Sequence, residues 1–321
     1  DQSEDIAKKK ALKDKVLQSL RQAAKLYHKF LFSPQGKNAQ EYLIRRGVSS
    51  KSIATFGIGF SPDFETVKNE LLKSFSIDVL KEAGLVDFGA NHKAFDAFAG
   101  RLMFPLINSY GDVIGFSGRL IEDKPFAKYK NSAQGIVFDK SRVVFAINLL
   151  KKLRNEIHGN IPYVVLVEGQ LDVVAMHQAG FNNAVACLGT ALTQFHAKEL
   201  KRMSDNIILL LDGDGAGQKA TLRSIDILKP CGLNVKVATL PDGMDPDEFL
   251  KKHTKEEMQK LLDGAIEGVD FQIQSLAKNF DLTSNQERAK FIKSALVIIK
   301  NLETDAEKTI YLDMVRKLTS V

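Results

Sequence analysis

Between residues 163 and 240, short apolar runs alternate with amphipathic stretches of helical length. The apolar runs predict β-strands over 163–168, 183–188, 207–211 and 234–240. The intervening stretches, each followed by a Gly, Ser or Pro stop signal, predict helices over 170–180, 194–204 and 215–229. Strands and helices that alternate with short loops form right-handed βαβ units, in which helices cover both faces of a parallel sheet. The predicted class of this region is therefore α/β.

Two carboxylates follow the third predicted strand, in the stretch IILLLDGDGAG from Ile207 to Gly217. Five apolar residues lead directly into Asp212 and Asp214, so a buried strand would carry two negative charges to one spot. Like charges held close together are hard to ionise at the same time unless a cation or a shared proton compensates them. This cost suggests a functional site.

Other interpretations of this stretch can be tested against its letters. A phosphate-binding P-loop is excluded, because Lys219 is followed by Ala220 and not by Ser or Thr. An EF-hand loop that starts at Asp212 is excluded, because Ala216 and Arg223 stand at ligand positions. A surface turn remains open, since Asp and Gly are common turn residues. A phosphorylated Asp212, with a carboxylate as nucleophile, also remains open.

Further acidic residues fall where a parallel sheet would gather them. Glu168 follows the first predicted strand, and parallel sheets bind ligands at the carboxyl ends of their strands. No His or Cys has a recognisable ligand spacing with these acids, so a metal site would be all oxygen and would favour Mg²⁺ or Mn²⁺. Two such ions about 4 Å apart can stabilise an in-line displacement at phosphorus. The candidate metal ligands are Glu168, Asp172, Asp212, Asp214, Asp245 and Asp247.

Regions of different character flank this segment. A helix is predicted over 4–31 and a β-hairpin over 101–120, in a tract where basic residues outnumber acidic ones and aromatic residues are interleaved. Grooves that bind single-stranded nucleic acids have this composition, although an aromatic core with a solvated basic rim would give the same letters. Helical spacing dominates after residue 253, with Thr254 and Ser284 as predicted caps. The predicted domains are a basic α+β subdomain (1–155), a parallel-sheet domain (156–252) and a helical subdomain (253–321).

Composition limits the compartment. The chain of 321 residues has a net charge of +6 and no apolar run near the ~20 residues of a membrane helix. Only Cys187 and Cys231 are present, which argues against a disulfide framework or a thiolate zinc site. A cytosolic location is the default expectation. The start, DQSEDIAKKK, lacks both Met and an apolar signal core, which is consistent with a segment cut from a longer protein.

Four ordered motifs resemble the Toprim domain of bacterial DnaG-type primases. They are EG-x-x-D (168–172), LGT (188–190), DGDxAG (212–217) and LPDGxDPDE (240–248). The stretches FPLINSYGDVIGFSGR (104–119) and KYKNS (128–132) are similar to the basic subdomain that precedes Toprim in these enzymes. The resemblance covers nearly all of the chain. Two positions depart from the family pattern, Gln170 in place of Tyr and Ala133 in place of Pro.

The resemblance implies roles for individual residues. Glu168, Asp212 and Asp214 would be the catalytic metal ligands, with Asp172, Asp245 and Asp247 as further ligands or supports. Residues that would face template, primer or nucleotide phosphates are Arg101, Arg119, Lys128, Lys130 and Asn131. The implied cofactor is Mg²⁺ or Mn²⁺, with two or more ions.

The implied activity is template-directed synthesis of short RNA primers on single-stranded DNA from NTPs, in bacterial DNA replication. The implied partners are therefore DNA template, RNA primer, NTPs and the replicative helicase. Similar primases carry a zinc-binding module before this region and a helicase-binding domain after it, and we expect both to lie outside this chain. Inhibition by guanine-nucleotide alarmones is a further implication. A Toprim-type metal-dependent nuclease, a strand-passage enzyme and a nucleotide-sensing binding module remain alternatives.

Overall fold

The computed structural model describes residues 2–122 and 124–320, so the outermost residues of the first and third predicted domains lie outside it. Among the described residues, no helix combines the length and the apolar composition that crossing a bilayer requires.

The first half of the chain mixes helices with short strands. Its α-helices are α1 (Gln2–Leu31), α2 (Lys37–Arg45), α3 (Ser50–Phe56), α4 (Thr66–Leu72), α5 (Ile77–Glu82) and α6 (Ile147–Glu156). Its strands are β1 (Gly59–Phe60), β2 (Val86–Phe88), β3 (Ala94–Asp96), β4 (Arg101–Ile107), β5 (Val113–Leu120) and β6 (Tyr129–Asn131). The predicted N-terminal helix and the predicted hairpin are confirmed, the latter as the antiparallel pair β4 and β5.

An antiparallel sheet in the order β1-β4-β5-β6 separates two hydrophobic cores. Side chains alternate across a strand, so neighbouring residues of β4 face opposite sides. Leu102 and Phe104 join the large core that extends to the parallel sheet, whereas Met103 packs under α1. The α1 residues of that smaller core are Val16, Leu20, Ala23 and Tyr27.

The predicted parallel sheet is present, with its strands in the order β11-β10-β9-β7-β8. The strands are β7 (Val164–Val167), β8 (Ala184–Ala186), β9 (Asn206–Leu209), β10 (Asn234–Val237) and β11 (Ile266–Glu267). The helices are α7 (Gln170–Gln178), α8 (Gln194–Lys201), α9 (Gly215–Leu228), α10 (Pro246–Lys252) and α11 (Lys255–Asp263). The strands are shorter than predicted, and β11 is an antiparallel edge strand that the sequence pattern did not indicate.

The C-terminal helices form a core of their own. They are α12 (Gly268–Ala277), α13 (Asn285–Lys300) and α14 (Asp305–Thr319), and they pack around Phe291, Ile273 and Val315. The side chains of Thr254 and Ser284 cap α11 and α13 as predicted. Met258 and Leu262 of α11 pack in the core of the parallel sheet, not with the C-terminal helices. The three-part domain division stays a prediction.

Candidate active site

The carboxyl ends of two neighbouring parallel strands bring Glu168 and Asp212 together. Strand β7 pairs with β9, and Leu210 N–H donates to Leu166 O at 2.9 Å just beyond the end of β9. One step further, the backbone N–H of Asp212 donates to Glu168 Oε1 at 3.1 Å. The predicted meeting of these two acids at one sheet edge is confirmed.

Asp214 begins the helix that follows Asp212. Its Oδ1 accepts the backbone N–H of Gly217 at 2.6 Å, so it is the N-cap of α9. Gly217 lies so close to the preceding loop that a Cβ would stand 1.8 Å from the carbonyl oxygen of Asp212. The final Gly of the DGDxAG motif therefore allows the tight turn that sets the two aspartates side by side.

The remaining acids come from α7 and α10, which pack against each other. Asp172 accepts the N–H of Gly169 at 3.2 Å and the N–H of Asp247 at 3.3 Å, which joins the two helix starts. Asp245 is the N-cap of α10. Asp247 differs from the others, because its Oδ2 lies 2.9 Å from both Arg46 and Lys251. Its charge is therefore compensated within the protein.

Burial and mutual repulsion raise the pKa values of three of the acids. Burial, reinforced by the charges of Glu168 and Asp245, raises the pKa of Asp212 to about 7. Burial, reinforced by Asp245 and Asp212, raises the pKa of Asp172 to about 7, and burial also raises the pKa of Asp245. Asp212 Oδ1 is buried without a hydrogen-bond partner among the described residues. An acceptor in this state is stabilised by a bound cation.

The donor set fits a hard divalent cation. Every candidate ligand is a carboxylate oxygen, the ligand type that Mg²⁺ and Mn²⁺ prefer. Within residues 2–122 and 124–320, no three His, Cys, Asp or Glu side chains are arranged as a ready ligand set for one ion. Mg²⁺ is commonly bound by one or two carboxylates, with water and substrate phosphates as its other ligands. Glu168 and Asp212, with the unpartnered Oδ1, meet that lower requirement.

Strand alternation divides the predicted basic residues between the two faces of the antiparallel sheet. Lys130 pairs across the sheet with Gly118, on the face that α1 covers, and its ammonium bonds Asp87 at 2.6 Å and Ala97 O at 2.8 Å. Arg101 is 7% exposed, and its Nη1 donates to Gly118 O and Ala127 O at 3.1 Å. Burial also lowers the pKa of Arg101. Both side chains bond inside the N-terminal subdomain, away from the acids.

The other predicted contact residues face the parallel sheet or the solvent. Arg119 donates from Nε to the Tyr129 hydroxyl at 3.0 Å, and its guanidinium lies 5.0 Å from the centre of the Tyr42 ring. Asn131 donates to Leu188 O at 3.2 Å, which ties β6 to the LGT loop. Lys128 is exposed and forms no ion pair with another described residue.

The sequence pattern did not indicate two contacts beside the acids. Arg46 reaches Asp247 across 201 chain positions, and it also lies 6.0 Å from the Tyr42 ring. Gln170, the departure from the family pattern, is buried and donates to the Ser117 hydroxyl of β5. These contacts fasten the basic subdomain to the acidic edge. A cavity of about 380 Å³ lies beside this junction, and its basic lining residues are Arg46, Lys251, His253 and Lys255.

Comparisons with known proteins agree with this geometry. The chain matches three family models, each within one predicted segment. They are described as DNA primase catalytic core, N-terminal domain (26–151), Toprim-like (165–250) and DnaB-helicase binding domain of primase (269–321). A solved structure of the DnaG primase catalytic domain bound to ssDNA is 30% identical, with a TM-score of 0.86, over 97% of this chain and 98% of that one.

The chain belongs to the DnaG primase family. The RNA polymerase domain of Mycobacterium tuberculosis DnaG, solved with a double-stranded DNA oligomer that has a 6-nucleotide overhang, is also 30% identical. Its TM-score is 0.82, over 95% of this chain and 97% of that one. The DNA primase of Clostridium acetobutylicum is 36% identical over 98% of this chain, which spans only 52% of that relative.

One expectation about this primase chain was wrong. We expected the helicase-binding domain to lie outside it. However, the family model described as the DnaB-helicase binding domain of primase matches residues 269–321, which include α13 and α14. Sequence periodicity predicts helices there, because it reports the residues that face the core. The residues of a helix bundle that contact a partner lie on its surface, and core spacing does not identify them.

Proposed function

We propose that this chain is the catalytic core of a DNA primase, which makes short RNA primers on single-stranded DNA from NTPs. The observation that carries the proposal is the unpartnered Oδ1 of Asp212, beside Glu168 at the carboxyl edge of a Toprim-type sheet. An edge of carboxylates of which only Asp247 is paired with cations suits a substrate that brings metal-bound phosphates.

In the proposed reaction the 3′-hydroxyl of the primer attacks the α-phosphate of an NTP, and pyrophosphate leaves. Mg²⁺ or Mn²⁺, as one ion or a pair held by Glu168, Asp212 and Asp214, would lower the pKa of that hydroxyl and neutralise phosphate charge. Asp172 and Asp245 would support this set.

The chain's other residues would position the substrates. Asp247 holds Arg46 beside the acidic edge, and Arg119 stacks between Tyr42 and Tyr129. Two guanidiniums at this junction could bind the triphosphate through paired N–H donors. Orientation of reacting groups can contribute several kcal/mol to such a transfer.

The proposed partners follow from this reaction and from the family. They are single-stranded DNA, the RNA primer, NTPs, the replicative helicase and a zinc-binding module that presents template. Guanine-nucleotide alarmones, which carry phosphates like those of an NTP, would compete for the same site. Priming would take place with the chromosome, in the bacterial cytoplasm.

A primer-extension assay tests the proposal, with Asp212→Asn as the main variant and a template that carries an annealed RNA primer. We expect extension to fall about a thousandfold, since several kcal/mol of metal-assisted stabilisation are lost and each 1.36 kcal/mol is tenfold. Asp205→Asn is the matched control, because Asp205 lies at the opposite end of the same strand and pairs with Lys201 on the surface.

A second readout does not depend on activity. Added Mg²⁺ should raise the Tm of the wild type and of Asp205→Asn, because a ligand that binds only the folded state stabilises it. Asp212→Asn should lack this response. Normal extension by folded Asp212→Asn would refute the proposed site. Cleavage of labelled DNA without NTPs, in place of extension, would favour a nuclease.

A further inference from the structure

The net charge of the chain is concentrated in one helix. Helix α1 contains eight Lys or Arg residues and three Asp or Glu residues, so it carries +5 of the chain's +6. Its basic residues are Lys8, Lys9, Lys10, Lys13, Lys15, Arg21, Lys25 and Lys29. The rest of the protein has a net charge of +1, so α1 holds most of the positive excess that attracts polyanions at long range.

These charges are exposed and uncompensated. All eight basic side chains are exposed, and none forms a salt bridge or hydrogen bond with another described residue. Arg21, Lys25 and Lys29 are four residues apart and therefore line one side of the helix. That side lies opposite the buried positions Leu20 and Ala23. The charged surface therefore faces the solvent.

This surface is separate from the candidate active site. Helix α1 covers the face of the antiparallel sheet that carries Met103 and Phe116, and the ring of Tyr27 packs edge-on against Phe116 at 5.2 Å. Leu102 and Phe104 point through the other face, toward the parallel sheet. Nucleic acid held on α1 would thus lie across the sheet from the acids.

The chemistry of the surface selects the kind of nucleic acid. Its exposed positions between Asp14 and Lys29 carry no aromatic residue on which an unpaired base could stack, and the nearest exposed aromatic side chain along the chain is Phe32, just beyond the end of the helix. Lys15, Arg21, Lys25 and Lys29 are spaced about 6–9 Å along the helix axis, which corresponds to two or three phosphates of one strand. Along these positions the surface offers charges for phosphates and no ring for bases.

We propose that the solvent face of α1 is a second nucleic-acid surface, which holds the phosphate backbone of a double helix outside the catalytic cleft. The inference deepens the proposed function, on which its role in priming rests, although the binding itself requires no catalysis. The M. tuberculosis relative was solved with double-stranded DNA. A helix that retains duplex would keep the enzyme on its template–primer while the cleft exchanges nucleotides.

The test is duplex binding by a variant with four substitutions, Lys15→Gln, Arg21→Gln, Lys25→Gln and Lys29→Gln, over a range of salt concentrations. Each lost phosphate contact lowers the slope of log K against log salt by about 0.9. For four contacts we expect the magnitude of the negative slope to fall by about 3.6, and the affinity in 0.1 M salt to fall more than tenfold. Measurement in EDTA and in the Asp212→Asn background separates this binding from the metal site.

The matched control removes the same charge elsewhere, by Lys260→Gln, Lys278→Gln, Lys293→Gln and Lys300→Gln. These exposed lysines form no salt bridge with another described residue, and the control should keep the wild-type slope. Equal losses in both quadruple variants would overturn the inference, since net charge alone would then explain binding. Two further results for the α1 variant would overturn the inference. One is a lower affinity for single strands with an unchanged affinity for duplex. The other is lost adsorption to phosphatidylserine vesicles with an unchanged affinity for duplex.

The outcomes for the two proposals are distinguishable. If the α1 variant binds duplex like the wild type, this inference fails, whatever the result of primer extension. If Asp212→Asn extends primers normally while the α1 variant loses duplex, the proposed active site fails and the α1 surface stands.

Discussion

The acids at the edge of the parallel sheet mostly lack compensating partners, whereas most predicted basic residues of the antiparallel sheet bond within the protein. Asp212 keeps a buried oxygen without a described partner, and its pKa is raised to about 7. Lys130 is paired with Asp87, and Arg101 donates to backbone carbonyls. Uncompensated charge, rather than charge alone, distinguishes the candidate catalytic edge from its surroundings.

Two acids with similar pKa values sharpen this distinction. Burial raises the pKa of Asp96 in β3 to about 7, as it does for Asp212. Asp96, however, accepts hydrogen bonds from the Tyr27 and Ser61 hydroxyls at 3.1 and 3.0 Å and from Phe98 N–H at 2.8 Å. A raised pKa on a buried carboxyl group that accepts three hydrogen bonds indicates a structural group. The same shift beside other carboxylates indicates a site.

Asp96 is expected to make a large contribution to the pH dependence of the unfolding free energy. The folded state holds a proton on Asp96 that the unfolded chain loses above pH 4, because its pKa rises from 3.8 to about 7. This contribution is fully present below about pH 4 and is lost as the pH rises through 7. Its upper bound is about 4 kcal/mol.

Asp96→Asn should therefore flatten the decline of the unfolding free energy between pH 4 and 8, measured by urea denaturation. The variant should be less stable than the wild type, by more at pH 5 than at pH 8. The Mg²⁺-dependent rise in Tm should persist, because Asp96 lies in the N-terminal core. An unchanged pH slope would mean that Asp96 ionises normally in the folded protein.

An intermediate effect is expected at Tyr42, which orders the basic side of the junction. Its ring contacts the guanidiniums of Arg119 at 5.0 Å and of Arg45 and Arg46 at 6.0 Å. Cation–π pairs contribute about 0.5–2 kcal/mol each. Tyr42→Leu should raise the KM for NTP about tenfold, whereas Tyr42→Phe keeps the ring and should stay within about twofold. Equal damage in both variants would assign the effect to the hydroxyl.

The smallest effect separates two neighbouring lysines. Lys128 is exposed without an ion pair to a described residue, whereas Lys130 is held by Asp87 at 2.6 Å on the far face of the sheet. Lys128→Gln should lower the salt slope of single-strand binding by about 0.7, which corresponds to one phosphate contact. Lys130→Gln should leave that slope unchanged. The reverse result would mean that Lys130 leaves Asp87 to bind DNA.

The α/β alternation, the hairpin and the meeting of Glu168 with Asp212 could all be predicted from the sequence. The meeting could be predicted because parallel strands share one direction, so residues that follow their carboxyl ends converge whatever the details of packing. The helix predicted over 215–229 also places Asp214 directly before a helix start, where a short acidic side chain accepts a backbone N–H group. These features depend on local chemistry and chain direction.

Which charges remain uncompensated depends on contacts between residues that are far apart in the chain. Successive side chains of a strand point to opposite faces of the sheet. Lys130 and Arg119 therefore lie on opposite faces, although both belong to the basic tract. Asp247 pairs with Arg46, which is 201 positions away in the chain, and no local sequence pattern predicts such a pair. A charge is available to a substrate only when no distant residue in the fold has already neutralised it.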